Sequence, residues 1–132
     1  MYIDRMKLTK ILAVNDEKFF LSLLDLCIGD KGAPIQLDQA VDGEEVIEKI
    51  NKGTQYDAIL MNLEMPIKNG WQTTEEIRDL GITTPIIAWS AHEKQYVFER
   101  CKDVGMDDYV EIDGRTLVDD ILEALQRVGV KV

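Results

Sequence analysis

Basic side chains are scarce in this sequence: 15 lysines and arginines stand against 25 aspartates and glutamates, for a net charge of −10. A protein that grips the phosphates of a nucleic acid needs a stripe of basic side chains, and the sequence has none. Nor does any apolar run approach the roughly 20 residues that span a bilayer. We therefore expect neither a nucleic-acid partner nor a segment embedded in a membrane.

Cysteine is equally scarce. The two cysteines, Cys27 and Cys101, are not spaced as in a metal-binding or redox motif, and we predict two buried, reduced thiols in a cytoplasmic protein. Residues 1–7 are charged and lack the apolar stretch of a signal peptide. Because 132 residues suit one domain, we divide the chain into an N-terminal extension, 1–7, and a single domain, 8–132.

Short apolar runs alternate with segments of helical periodicity. The runs are mostly apolar throughout, as expected of strands buried on both faces of a parallel sheet. The predicted strands are Ile11–Val14, Ile35–Ala40, Ala58–Met61, Ile86–Trp89 and Tyr109–Glu111. The predicted helical stripes include Phe20, Leu23, Leu24 and Cys27 in the first helix and Leu117, Ile121, Leu125 and Val128 in the last. This alternation predicts a doubly wound α/β fold.

In a doubly wound sheet a functional site forms beyond the carboxyl ends of the strands. The loops after Val14, Met61, Trp89 and Glu111 are therefore the expected site. Four motifs fall in or beside these loops. They are ILAVNDE at 11–17, AILMNLEMPIKNG at 58–70, TPIIAWSA at 84–91 and GMDDYV at 105–110.

In this order and spacing the motifs resemble those of response-regulator receiver domains, the phosphoacceptors of two-component signalling. The resemblance covers nearly the whole chain. It implies a flavodoxin-like sheet of five parallel strands in the order 2-1-3-4-5, with five helices.

Three positions depart from the receiver pattern. In the resembling family a carboxylate nucleophile accepts the phosphoryl group, acidic side chains hold Mg²⁺, and a lysine neutralises the transferred charge. Asn62 stands at the phosphoacceptor position, and its neutral amide cannot form an acyl phosphate. Asn15 replaces one acidic residue, and Ile112 stands where the lysine is expected. A lysine there would have few carboxylates to offset its desolvation, so the three changes are consistent with one loss of activity.

Other positions keep the pattern. Asp16 matches a direct metal ligand, and the backbone carbonyl of Glu64 is a second candidate. With so few charged ligands we expect at most weak Mg²⁺ binding and no required cofactor. Ser90 and Tyr109 match the switch residues that respond to phosphorylation in the resembling family.

These residues also have structural interpretations. Asn62 could serve as an ordinary asparagine at a strand end, and Asp16 could cap the first helix. Ser90 could cap a later helix, with Glu93 completing a capping box. His92, the single histidine, is interpreted as a solvated loop residue.

The hypothesis that best fits the sequence is a pseudo-receiver, a non-enzymatic module that lacks the phosphoacceptor and works by binding proteins. Its partner would be a histidine kinase, another receiver or an output domain. The predicted partner surface lies on the last two helices and the strand between them. There Tyr96 and Phe98 offer apolar anchors, and an acidic rim is formed by Asp119, Asp120 and Glu123.

Two alternatives remain. The first is a phosphotransfer receiver, of a response regulator or a hybrid kinase, whose acceptor aspartate has been replaced by Asn62. Such a replacement would require neither Asn15 nor Ile112. The second is a flavodoxin-like enzyme or nucleotide-binding protein on the same fold. No glycine-rich phosphate loop follows the first predicted strand, which argues against it.

Overall fold

The computed structural model describes residues 8–113 and 116–132, and the predicted extension, 1–7, lies outside them. Strands and helices alternate strictly along the described chain. The strands are β1 (Thr9–Val14), β2 (Ile35–Ala40), β3 (Ala58–Met61), β4 (Ile86–Ser90) and β5 (Asp108–Glu111). The helices are α1 (Lys18–Lys31), α2 (Gly43–Asn51), α3 (Gly70–Asp79), α4 (Lys94–Val104) and α5 (Leu117–Arg127).

The strands form one parallel sheet in the order β2-β1-β3-β4-β5. At its centre lies β3, where Leu60 pairs in register with Ala13 of β1 and Ile87 of β4. All residues of β3 are buried, which explains why its sequence is apolar throughout instead of alternating. The prediction of a doubly wound sheet in the order 2-1-3-4-5 is confirmed.

Helices cover both faces of the sheet, so the core has two layers. Alternate residues of a strand point to opposite faces. In β1, Leu12 and Val14 belong to the layer under α2, α3 and α4, whereas Ile11 and Ala13 belong to the layer under α1 and α5. Burial of this apolar surface, worth about 25 cal/mol per Å², is the main favourable term in folding.

The predicted strand boundaries agree with the structure to within two residues. β1 begins earlier than predicted, at Thr9, β4 ends later, at Ser90, and β5 begins earlier, at Asp108. In α5 the predicted stripe is buried up to Leu125. Among the described residues no helix combines the length and the apolar character needed to cross a membrane.

The predicted apolar stripe of α1 is wrong in part. Leu24 is buried as predicted, but the other buried side chains of this helix are Leu21 and Ile28. α1 carries apolar side chains on more than one face, so periodicity cannot select the buried stripe. Cys101 is buried as predicted, whereas Cys27 is only half-buried. The half-buried members of the predicted stripe, which line a groove between α1 and α5, are Phe20, Leu23 and Cys27.

The loop between β3 and α3 closes tightly against the end of β3. The N–H of Gly70 donates to the carbonyl of Leu63 at 2.7 Å, and a Cβ at position 70 would overlap the carbonyl oxygen of Asn62. Only glycine leaves room for this approach. Asn69 then caps α3 through a capping box with Gln72. The loop therefore holds the backbone of Asn62 in a fixed position.

Candidate functional site

The predicted site loops meet at the carboxyl edge of the sheet. Val14 and Met61 lie opposite each other at the ends of β1 and β3. The ladder extends one residue further, because the N–H of Asn62 donates to the carbonyl of Val14 at 3.0 Å. This pairing places Asn62 beside the loop that follows β1, as expected for a site at this edge.

The side-chain amide of Asn62 lies among oxygen atoms of two loops. Its Nδ2 donates to Oδ1 of Asp16 and to the backbone carbonyl of Glu64, both at 3.1 Å, and to Oδ1 of Asn15 at 3.4 Å. Its own Oδ1 accepts the N–H of Leu63 at 3.0 Å. The amide therefore links the β1–α1 loop to the β3–α3 loop.

Asn15 and Asp16 occupy different environments. Asn15 is 2% exposed, and its Oδ1 accepts the N–H of Glu17 at 2.9 Å, forming the turn that leads into α1. Asp16 is exposed and contacts Asn62. The N-cap residue of α1 is Glu17, without a side-chain capping bond. The interpretation of Asp16 as a helix cap is therefore wrong.

Ser90 and Tyr109 both contact the backbone of His92. The N–H of His92 donates to Oγ of Ser90 at 3.1 Å, and the hydroxyl of Tyr109 donates to the carbonyl of His92 at 2.6 Å. Tyr109 is 4% exposed and packs edge-to-face against Phe98. Burial raises the pKa of Tyr109, which keeps this donor protonated. The N-cap residue of α4 is Glu93, without a side-chain capping bond, so the interpretation of Ser90 as a cap is wrong.

His92 is a site residue that the sequence analysis missed. Its Nε2 lies 3.0 Å from Oε2 of Glu64, so its side chain bridges the loops after β3 and β4. His92 is exposed in the loop after β4, as interpreted, and its contact with Glu64 is what that interpretation did not include. A signal was present in the sequence: position 92 lies two residues beyond Ser90, in the loop adjacent to that of Glu64 in a parallel sheet.

The site loops thus carry amide and acidic side chains after β1 and β3 and a hydroxyl at the end of β4. Residues 11–125 match the family model of the response regulator receiver domain. The chain belongs to this family. The domain is 33% identical over 101 residues to the transcriptional regulatory protein DltR of Streptococcus agalactiae, an alignment that covers 76% of this chain and 44% of DltR. The chain therefore spans less than half the length of that relative.

Solved structures with the receiver fold are similar to this receiver domain over most of its length. Chemotaxis protein CheY4 of Vibrio cholerae has a TM-score of 0.80 at 24% identity, with 92% of this chain and 98% of CheY4 covered, a likeness that establishes the fold. The receiver domain of the sensor histidine kinase PA1611 from Pseudomonas aeruginosa has a TM-score of 0.76 at 29% identity, with 90% and 95% covered. The PA1611 structure holds a magnesium ion coordinated in its active-site cleft.

Ile112, which the sequence analysis assigns to the lysine position, carries no charge. The side chain of Ile112 is half-buried against the core layer of α1 and α5, where it lines the groove together with Phe20 and Leu117. Its N–H donates to the carbonyl of Ser90 at 2.8 Å, so the backbone stays in register with β4. Ile112 therefore contributes packing and offers the site no cation.

The donor set does not fit a magnesium ion of the kind that PA1611 holds. Mg²⁺ binds through oxygen ligands, of which carboxylates supply the charge. Oδ1 of Asp16 and the carbonyl of Glu64 already accept Nδ2 of Asn62, and the Glu64 carboxylate pairs with His92. Within 8–113 and 116–132, no three His, Cys, Asp or Glu side chains are grouped so that they could hold a metal ion. At most weak Mg²⁺ binding stays our prediction.

The predicted apolar anchors lie on α4. Tyr96 is 77% exposed. Phe98 is half-buried, and the ammonium group of Lys94 lies 4.6 Å from the centre of its ring. Tyr96 is thus available to a partner, whereas Phe98 ties the surface of α4 to Tyr109 underneath.

The acidic residues of α5 do not share one side of the helix. Asp120 and Glu123 line a groove beside β5. Asp119 instead pairs with Lys31 of α1 at 2.7 Å and lines the groove between α1 and α5. The prediction that Asp119 belongs to the same rim is wrong. Successive helical residues lie about 100° apart, which places positions 119 and 120 on opposite sides of the outward face.

Proposed function

We propose that this receiver domain is a pseudo-receiver, a non-enzymatic signalling module that takes no phosphoryl group and acts by binding other proteins. The observation that carries the proposal is the side chain of Asn62, which stands at the phosphoacceptor position and donates hydrogen bonds through Nδ2. Phosphoryl capture requires a nucleophilic carboxylate oxygen at that position. The amide oxygen of Asn62 is uncharged and already accepts the N–H of Leu63.

Two further positions support the proposal. Asn15 is a second amide where the receiver pattern has an acid, and Ile112 replaces the lysine. Phosphoryl transfer depends on positioned charges that stabilise the transferred group, and isoleucine has neither charge nor donor. A receiver disabled at its acceptor alone would have kept both the acid and the lysine.

The alternative is a phosphotransfer receiver, of a response regulator or a hybrid kinase, with only its acceptor replaced. The observation that favours it is the intact switch pair, because Ser90 and Tyr109 still meet at His92. Under the pseudo-receiver proposal the same contacts serve a different purpose. They hold the surface of α4 in one arrangement that a partner recognises.

We propose that the partner is a cytoplasmic protein of a two-component pathway: a histidine kinase, another receiver or an output domain. Among the similar proteins, DltR is a transcriptional regulatory protein and PA1611 is a sensor histidine kinase. The proposed contact surface consists of Tyr96, Phe98, Asp120 and Glu123. An exposed aromatic ring on α4 together with acidic side chains on α5 suits a partner with an apolar pocket and basic residues around it.

Intact-protein mass spectrometry after incubation with acetyl phosphate and Mg²⁺ tests the proposal. We expect no adduct of about 80 Da, the mass of one phosphoryl group, because the acceptor position lacks a carboxylate. A receiver domain with aspartate at this position, treated alongside, shows that the reagent is active. An acid-labile adduct that maps to Asp16, Glu64 or another carboxylate would refute the proposal.

Pairwise binding assays against the histidine kinases and receivers of the same organism test the surface. We expect Tyr96→Ala to weaken binding to the partner found. Phe19→Ala is the matched control, because Phe19 is also an exposed aromatic residue but lies on α1. A partner that responds to Phe19→Ala and not to Tyr96→Ala would place the contact surface on α1.

A further inference from the structure

Three oxygen atoms of two loops converge on one nitrogen atom. Nδ2 of Asn62 lies 3.1 Å from Oδ1 of Asp16, 3.1 Å from the carbonyl oxygen of Glu64 and 3.4 Å from Oδ1 of Asn15. Metal ions gather oxygen atoms of separate segments in a comparable way. Here the group that gathers them is a side-chain amide with two N–H donors.

The orientation of this amide is fixed by its neighbours. If the Asn62 side chain were flipped, its oxygen would face the three acceptor oxygens, and its nitrogen would face the N–H of Leu63. Both sides of the flipped amide would then lack complementary partners, which is unfavourable for each unsatisfied group. The donor side therefore faces Asp16, Glu64 and Asn15.

The linkage continues beyond the amide. The carboxylate of Glu64 pairs with His92, and the backbone of His92 meets Ser90 and Tyr109. Asn62 thus begins a series of contacts that joins the loops after β1, β3 and β4. A substitution that disturbs the amide should loosen more than its nearest neighbours.

We propose that Asn62 takes the place of a divalent cation in this domain and ties the loops after β1 and β3 together, so that the site is ordered without metal. The inference deepens the proposed function and rests on it, because it gives a role to the residue that stands at the acceptor position. A neutral amide leaves the charge of Asp16 uncompensated, and the exposure of Asp16 lets water stabilise that charge.

Thermal unfolding in EDTA and in millimolar MgCl₂, at matched ionic strength, tests the inference. Asn62→Asp keeps the shape of the side chain but turns the Nδ2 donor into a carboxylate oxygen that faces three other oxygen atoms. We expect the Tm of the parent protein to be equal in both solutions. Asn62→Asp should unfold at least roughly 4 °C lower than the parent protein in EDTA and regain that loss in MgCl₂, because the cation then supplies what the amide supplied.

Gln55→Glu is the matched control. It makes the same change from amide to carboxylate at an exposed position before β3, so it should neither lose Tm in EDTA nor gain Tm in MgCl₂. Two results would overturn the inference. One is a saturable rise of the parent protein's Tm in MgCl₂, and the other is an Asn62→Asp variant as stable as the parent protein in EDTA.

If Asn62→Asp folds in neither solution, NMR of the parent protein tests the inference instead. The side-chain amide signals of Asn62 and the backbone N–H signals of Glu17 and Leu63 should stay in place during a MgCl₂ titration, and saturating shifts would refute the inference. These measurements report order and metal binding instead of phosphoryl transfer. The inference and the proposed function can therefore fail independently.

Discussion

The hydroxyl of Tyr109 donates a hydrogen bond of 2.6 Å to the backbone carbonyl of His92, which fixes a buried ring of β5 to the loop that leads into α4. The same ring packs edge-to-face against Phe98, with 6.1 Å between the ring centroids. The ring of Tyr109 is thus held inside the protein from two directions. The arrangement of the proposed partner surface depends in part on one hydroxyl group.

Removal of this hydroxyl should destabilise the domain. We expect Tyr109→Phe to lower the free energy of unfolding by about 1 kcal/mol, because the carbonyl of His92 loses its donor. Urea denaturation measures the change. Tyr96→Phe is the matched control: the side chain is mostly exposed, so its loss should stay below about 0.5 kcal/mol. Equal losses in the two variants would contradict the role assigned to the Tyr109 hydroxyl.

Alkaline pH should weaken the fold through two buried tyrosines. Burial raises the pKa of Tyr109, and burial together with the hydrogen bond to Asp38 raises the pKa of Tyr56. Above the ordinary tyrosine pKa of about 10, the folded protein then binds more protons than the unfolded chain. The corresponding stability is complete below that pH and is lost as the pH rises through the folded-state values.

Urea midpoints measured from about pH 9 to pH 11 test the sign of this dependence. We expect the midpoint to fall across the range in the parent protein and to fall less steeply in the Tyr56→Phe/Tyr109→Phe double variant. A midpoint that rises with pH in the parent protein would show that the sign is wrong.

Two glycines should respond to alanine in opposite directions. At position 70 a Cβ would overlap the carbonyl oxygen of Asn62, so we expect Gly70→Ala to destabilise the domain by about 1 to 3 kcal/mol. At position 29, inside α1, a Cβ meets open space. Gly29→Ala should therefore stabilise by about 0.5 to 1 kcal/mol, because alanine favours the helix. If Gly70→Ala left the free energy of unfolding unchanged, the β3–α3 loop would not be held against Asn62.

Ile67 carries backbone strain in the same loop. Its φ is +70°, in the left-handed region that β-branched residues avoid, and its side chain is 73% exposed. Burial therefore offsets little of the conformational cost. We expect Ile67→Gly to be more stable than Ile67→Ala by about 1 kcal/mol in urea denaturation, because both variants lose the side chain but only glycine relieves the strain. Equal stability would show that position 67 is unstrained.

The fold was predictable because its strongest signals are local. A strand such as β3, buried on both faces, must be apolar at every position, and its sequence shows this directly. The buried face of α1 was not predictable in the same way. Phe20 and Leu21 are adjacent and both apolar, yet only the second is fully buried. The choice between them depends on how α1 packs against α5.

The parts of the site that could be predicted from the sequence are those in which the backbone alone determines where a residue lies. Asn15 and Asn62 follow neighbouring parallel strands, so the sheet register brings them together. The pair formed by His92 and Glu64 depends on side-chain directions in two loops, and periodicity carries no information about these. The direction of the Asn62 amide likewise required the positions of the acceptors around it.

Restoring receiver chemistry should take more than one substitution. Asn62→Asp returns a carboxylate beside Asp16, so weak Mg²⁺ binding and slow phosphorylation should follow. The switch should not follow, because Ile112 has no donor with which to hold the transferred group. We expect the NMR signals of Ser90 and Tyr109 to move only when Ile112→Lys accompanies Asn62→Asp. Asn15→Asp should then add metal affinity through one more charged ligand.

Backbone NMR of the single, double and triple variants, with and without Mg²⁺ and a beryllium fluoride mimic of the phosphoryl group, measures this dependence. Ile112→Leu combined with Asn62→Asp is the matched control, because it changes the side chain without adding an ammonium group. It should behave as Asn62→Asp alone. Large shifts at Ser90, Tyr109 and α4 in the single Asn62→Asp variant would mean that one substitution had silenced an otherwise complete receiver. The asparagine at position 15 and the isoleucine at position 112 would then have no effect on function, and the pseudo-receiver proposal would be wrong.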